Sequence, residues 1–166
     1  MGNYTEKINL FKEAMSNYPT GVNVVTSIDE NDKPIGLTVN SFASVSLDPL
    51  LISWSIDNTV STFDKFMKTD QFAVNILAHN QADIASIFAG SEEGRFAKCD
   101  WDLSEQRLPL ISDVMASLQC KVFKRIEAGD HVILIGEVFN ISVQDEAPLL
   151  YHKRKLGAFP RSFHEE

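Results

Sequence analysis

The chain has 166 residues, 44% hydrophobic and 23% charged, with 8 Gly and 6 Pro; this fits one globular domain over 1–166 and excludes disordered, collagen-like and low-complexity classes. Lys+Arg 15 against Asp+Glu 23 leave a formal charge of −8, the wrong sign for tracking a nucleic-acid backbone. Cys99 and Cys120 lie outside any CxxC or Cys/His cluster, which argues against a disulfide framework or a zinc site and for a reduced, cytoplasmic setting.

The N-terminal MGNYTEKINL carries charge where a signal peptide needs an apolar run, and Glu6 stands where an N-myristoylation signal needs Ser or Thr. Ile8, Phe11, Met15 and Tyr18 recur at helical spacing, predicting a helix over 5–18 with Thr5 as N-cap, Pro19 and Gly21 as stop, and Phe11 and Met15 in the core. The β-branched run 22–28 and the polar turn 29–34 predict a strand and hairpin loop. Between 35 and 47, odd positions are mostly apolar (Ile35, Leu37, Val39, Val45, Leu47) and even positions largely hydroxyl or amide (Thr38, Asn40, Ser44, Ser46). Period two over this length predicts extended chain with a bend near Asn40-Ser41-Phe42.

Asp48-Pro49 breaks the pattern before a strand over 50–56. Asn58 or Thr59 then caps a helix carrying Val60, Phe63, Phe66 and Met67 and ending at Asp70. A strand over 71–77 is followed by a helix begun by Asn80 and closed by Gly90. Residues 91–112 show little periodicity and form a long irregular excursion, the kind of segment that often carries function. A hairpin over 118–126 and 131–143 turns at Gly129, and the tail carries Lys153-Arg154-Lys155. The longest apolar stretch, 131–139, contains Gly136 and Glu137 and is far shorter than the ~20 residues of a membrane helix, so no membrane association is expected. Strands that follow one another directly indicate a mainly antiparallel β-barrel with α-helices at its ends.

No GxSxG, HExxH, GxGxxG or Walker motif occurs, and the four histidines have no metal spacing. Neither a protein catalytic residue nor a metal is expected, so any chemistry should come from a cofactor. The segments TGVNVVT (20–26), GLTVNSFASVSLDP (36–49), GDHVILIGEV (129–138) and PLLY (148–151), in this order and spacing, resemble the successive motifs of the short-chain flavin reductase family. That resemblance implies an FMN-binding split β-barrel that forms a homodimer. It further implies hydride transfer from NADH or NADPH to FMN, or alternatively FAD, and delivery of reduced flavin to a flavin-dependent monooxygenase.

Carried over by position, Thr38, Val39, Asn40 and Ser41 match the stretch lining the isoalloxazine, and Ser44 and Val45 its continuation around ring and ribityl chain. Short polar side chains let backbone approach a flat ring closely, though they equally suit a solvent-facing strand face. Asn58, Thr59, Ser61 and Thr62 match the family's phosphate ligands, and otherwise read as a helix cap. Arg95-Phe96 matches the Arg-Phe near the flavin phosphate, or leaves a solvated surface arginine. His131 matches the nicotinamide-side histidine; a histidine at a strand start is otherwise structural. Tyr151 and Lys153, with its basic neighbours, match the dinucleotide segment. Leu156 departs from the pattern, since members commonly carry a second aromatic there. This departure sustains an alternative of a different class, a flavin store or sensor without reductase activity. Trp101, in the excursion, is read either as a flavin cover or as packing.

Overall fold

The computed structural model describes residues 3–163. Met1 and Gly2, part of the segment assessed above for targeting signals, and His164 lie outside the described residues. Helix α1 (Tyr4–Asn17) is followed by β1 (Thr20–Gly21), β2 (Asn23–Ile28), β3 (Pro34–Val39), β4 (Ala43–Leu47) and β5 (Leu50–Asp57). Next come α2 (Phe63–Lys68), β6 (Gln71–Ile76) and α3 (Ala82–Ala89). The excursion contains a 3-10 turn at Arg95–Lys98 and the pair β7 (Trp101–Leu103) and β8 (Pro109–Ile111). The chain continues through β9 (Ala116–Ala128), β10 (His131–Val143), β11 (Leu149–His152) and β12 (Lys155–Ala158).

Seven strands form one antiparallel sheet in the order β3-β2-β6-β9-β10-β5-β4. Its two edges, β3 and β4, are consecutive in the chain and joined by residues 40–42, so the sheet must curl until its edges nearly meet. This is the mainly β split barrel with flanking helices expected from the sequence, including the bend at Asn40-Ser41-Phe42. No β3–β4 ladder closes it. Instead the Ser41 hydroxyl donates to the Ser55 carbonyl (3.2 Å) and accepts from the Ser55 N–H (2.9 Å), standing in for a missing ladder residue beside β5.

Strand β2 is buried on both faces and separates two cores. On the barrel side Val25, Trp54, Phe66, Phe72 and Leu134 pack together, with Trp54 edge-on to Phe66 and Phe72 at 5.2 and 5.7 Å. On the outer side Val22, Val24, Leu77, Phe88, Ile111 and Leu149 lie under α3, the excursion and the small sheet β1-β11-β12. Buried Asn75 staples these layers: its amide donates to the Val24 carbonyl (3.0 Å) and its oxygen accepts from the Ile111 N–H (3.0 Å). Gly36 permits a close approach, since a Cβ there would stand 2.7 Å from the Phe88 ring.

Several local expectations change. Helix α1 is capped by Asn3, whose side chain accepts from the Thr5 N–H, rather than by Thr5. It buries no residue, and Phe11 and Met15 are 68% and 51% exposed; the apolar face read as core has no partner among the described residues. Helix α2 begins only at Phe63 because the Thr59 N–H and hydroxyl both turn back to Asp57 Oδ1 (2.8 and 2.7 Å). That local turn draws Thr59 back onto Asp57 instead of onto the N–H groups that follow it. Gln81, not Asn80, occupies the N-cap of α3. Trp101 packs on Phe96 with ring centroids 5.1 Å apart and donates to its carbonyl (3.0 Å), which settles it as packing within the excursion.

Candidate flavin and dinucleotide site

Residues 38–40, at the end of edge strand β3, form a wall between two cavities. The first, about 350 Å³, is completed by Val22, Ala85, Ser86 and Ala89 and by Tyr151, Arg154 and Leu156 of the β11–β12 hairpin. The second, about 280 Å³, is completed by Leu37, Ser41, Ser55, Ile56, Asp57, Val60 and His131. Another cavity of about 360 Å³, between Leu110, Ser117, Ser142 and Glu146, contains no residue singled out from the sequence.

The wall is held from behind. The Thr38 hydroxyl donates to the Ala85 carbonyl (2.7 Å) and the Ser41 hydroxyl is engaged with Ser55, so neither is the free polar group that the sequence suggested. Asn40 is exposed and lines both cavities. As an edge strand, β3 also directs alternate backbone N–H and C=O groups away from β2. This apolar wall with exposed backbone and one amide fits a flat heteroaromatic ring rimmed by carbonyls and nitrogens.

His131 opens β10 directly opposite Asp57 of β5. Its Nδ1 lies 2.7 Å from Asp130 Oδ1; with Nδ1 donating to that carboxylate, Nε2 remains the ring's free position. The Thr59 hydroxyl and N–H hold the Asp57 carboxyl below the usual range, with a smaller contribution from His131. Across the wall, Tyr151 pairs with Leu156, so the position of the expected second aromatic lies beside Tyr151 and both line the first cavity. Arg154, rather than Lys153, reaches this cavity. Lys153 instead donates its backbone N–H to the Ser16 carbonyl (2.7 Å), tying the hairpin turn to α1.

Arg95 occupies a different role from the solvated or phosphate-clamping arginine read from the sequence. It is 7% exposed, and its guanidinium donates to the carbonyls of Ser91 (3.0 Å), Gly36 (2.5 Å) and Gly90 (2.5 Å). Phe96 packs on Phe88 at 5.0 Å. The pair therefore clamps the excursion to β3 and lines neither cavity. Ser44 and Val45 lie exposed on edge strand β4, where the register shift between Ser44 and Ser46 leaves Val45 without a partner. Asn58 is exposed and donates its N–H to Asp130, Ser61 is exposed, and Thr62 is buried.

Two groups absent from the sequence reading complete this region. Lys65 forms an ion pair with Glu92 of the excursion. Lys65, then Ser61, and more distantly Arg95, hold the Glu92 carboxyl below the usual range. Lys65 lies in α2 only four residues after Ser61, and that closeness along the chain is the signal that could have marked it. Glu92 had none, since only the fold brings residues 61 and 92 together.

The flavin reductase-like domain family model matches residues 15–160. The chain belongs to this family. Among its relatives are the reductase component of a flavin-dependent trigonelline monooxygenase from Acinetobacter baylyi, 44% identical over 89% of this chain and 47% of that protein, and the FMN reductase (NADH) SmoA of Agrobacterium fabrum, 36% identical over 94% of this chain and 88% of that protein. A solved member, the NADH:FAD oxidoreductase SgcE6 of Streptomyces globisporus in complex with NAD and FAD fragments, superposes with a TM-score of 0.88 at 30% identity, covering 96% of each chain. The chain spans about half or less of the first curated relatives it matches, 47% and 41%.

Proposed function

We propose that this chain is an NAD(P)H-dependent flavin reductase that passes hydride from a reduced nicotinamide to FMN, or FAD, and supplies reduced flavin to a partner monooxygenase. The observation that carries this reading is the shared wall at 38–40, with His131 on one side and Tyr151 with Arg154 on the other. Bound flavin would supply the hydride-accepting chemistry. The protein's part is orientation: β3 and Asn40 hold the ring edge, His131 offers a hydrogen bond to a nicotinamide carboxamide, and Ser61 with Lys65 offers a hydroxyl and a cation to the flavin phosphate. The relatives named as the reductase component of a trigonelline monooxygenase and the reductase subunit of a stachydrine N-demethylase support a partner that uses reduced flavin.

The reading includes a single flavin reductase-like domain over 1–166, supported by one sheet drawing strands from β2 to β10. It also includes a homodimer. Val45, Leu47, Phe123, Phe139, Ile141 and Val143, on β4, β9 and β10, are 39–88% exposed, apolar area that a second copy would cover and that would bring Ser44 and Val45 into an interface. A cytoplasmic setting accords with two free thiols; no described helix is long and apolar enough to cross a membrane.

The decisive measurement is the flavin absorbance spectrum under anaerobic conditions. NADH or NADPH is expected to abolish the oxidised-flavin band, and a flavin-saturated protein that turns over neither overturns the reading. Leu156 beside Tyr151 favours one second reading, a flavin-binding protein without reductase activity, for which the band persists.

A further inference from the structure

We propose that Glu92 is an internal anion competing with the flavin phosphate for Ser61 and Lys65, so that it sets the discrimination between phosphorylated and unphosphorylated flavin and keeps the flavin exchangeable. The inference rests on the flavin-binding reading above and deepens it. The Glu92 carboxylate already occupies the cation that a phosphate would use: it is ion-paired to Lys65 Nζ, and the nearby Ser61 side chain adds to what holds its carboxyl below the usual range. Arg95 lies close enough to act on it through space, but its guanidinium is engaged with the three carbonyls and offers no free fork.

A phosphate entering this corner therefore meets one mobile cation that is already neutralised and a like charge beside it. Two anions cannot share Lys65 without repulsion, so binding requires Glu92 to leave. The structure allows it to leave. Glu92 and Lys65 side chains are 31% and 40% exposed, so the Glu92 carboxylate can turn toward solvent by side-chain rotation while Arg95 keeps its hold on the Ser91 and Gly90 carbonyls. Every FMN molecule bound thus displaces an internal competitor, and that cost falls on the phosphate alone.

The test compares dissociation constants for FMN and riboflavin, which differ only in the phosphate, in the full chain. Glu92→Gln is expected to tighten FMN about tenfold and leave riboflavin unchanged, while Lys65→Ala weakens FMN alone. Glu92→Ala, which cannot hydrogen-bond Lys65, serves as the second variant and should match Glu92→Gln; circular dichroism confirms that both fold. If Lys65→Ala lowers the FMN preference but neither Glu92 variant raises it, Glu92 is not a competitor and the inference fails. If none of the three changes the FMN-to-riboflavin ratio, the phosphate does not bind at Ser61 and Lys65, and the phosphate placement fails with it.

Discussion

Arg95 shows how a single side chain can be read correctly as important and wrongly as to partner. A guanidinium has five donors in a fixed fork, and the sequence offers phosphate as the obvious recipient. In the fold the turn at residues 90–94 and the bare Gly36 strand present carbonyls first, and burial lowers the arginine's pKa while Glu92 partly offsets this. Arg95→Ala should lower unfolding free energy by about 3 kcal/mol, because three carbonyls lose their donor, and Arg95→Lys should recover under half, since one ammonium cannot span them; urea denaturation measures both. His131→Ala is expected to raise KM for the nicotinamide substrate more than for flavin, and an equal rise would assign it a structural role. Glu92 carries a pH signature. Its carboxyl titrates lower in the folded state, so its stabilising contribution is complete above the unfolded-state value near 4.3 and disappears as pH falls through the folded value. Glu92→Gln should flatten that part of the stability profile. Cys120, whose thiol burial pushes up to about 12, should resist alkylation at neutral pH until the protein unfolds.

At the scale of elements, the alternating run 35–47 was legible as extended chain because period two marks strand geometry; over β3 it puts Ile35 and Val39 in the core, while over β4 its apolar positions Val45 and Leu47 are exposed, so the same pattern that reported a strand did not report which face the chain itself covers. Strand β2 was less transparent: buried on both faces, it shows β-branched composition but no alternation. The cap at Asn58 or Thr59 misled because Asp57, one residue earlier, captures the local donors, a competition that residue type alone does not resolve. The apolar stripe of α1 was read as core because periodicity reports that a face must be covered, not by which chain. Of the site, the wall at 38–40, His131 and Tyr151 were visible. Arg154 was read only as one of the basic run beside Tyr151, Lys65 had only its closeness to Ser61, and Glu92 depends on tertiary proximity between segments far apart in sequence. The seam offers a test of the barrel's closure. Ser41→Ala removes both bonds to Ser55 and should cost about 1–2 kcal/mol, with hydrogen exchange accelerated at the Ser55 amide while amides in the β9–β10 ladder stay protected; unchanged exchange at Ser55 would show that the hydroxyl does not hold the edges together.

Across the whole molecule, a formal charge of −8 surrounds a site proposed for two anionic ligands. Long-range repulsion slows encounter and is screened by salt, whereas the contacts with Lys65 act at short range. Flavin association rates should therefore rise with ionic strength, as stopped-flow quenching can establish; a fall would show that the local cations dominate encounter. The wall at 38–40 has a thermodynamic consequence of its own. One strand end bounds both cavities, paired to β2 on one side only and otherwise tied through Thr38 to α3 and Ser41 to β5, so a ring seated on one side changes the shape available on the other. Occupants of the two cavities are then linked, each altering the other's affinity by one common factor. Oxidised dinucleotide, which delivers no hydride, should shift the flavin dissociation constant by the same ratio as flavin shifts its own.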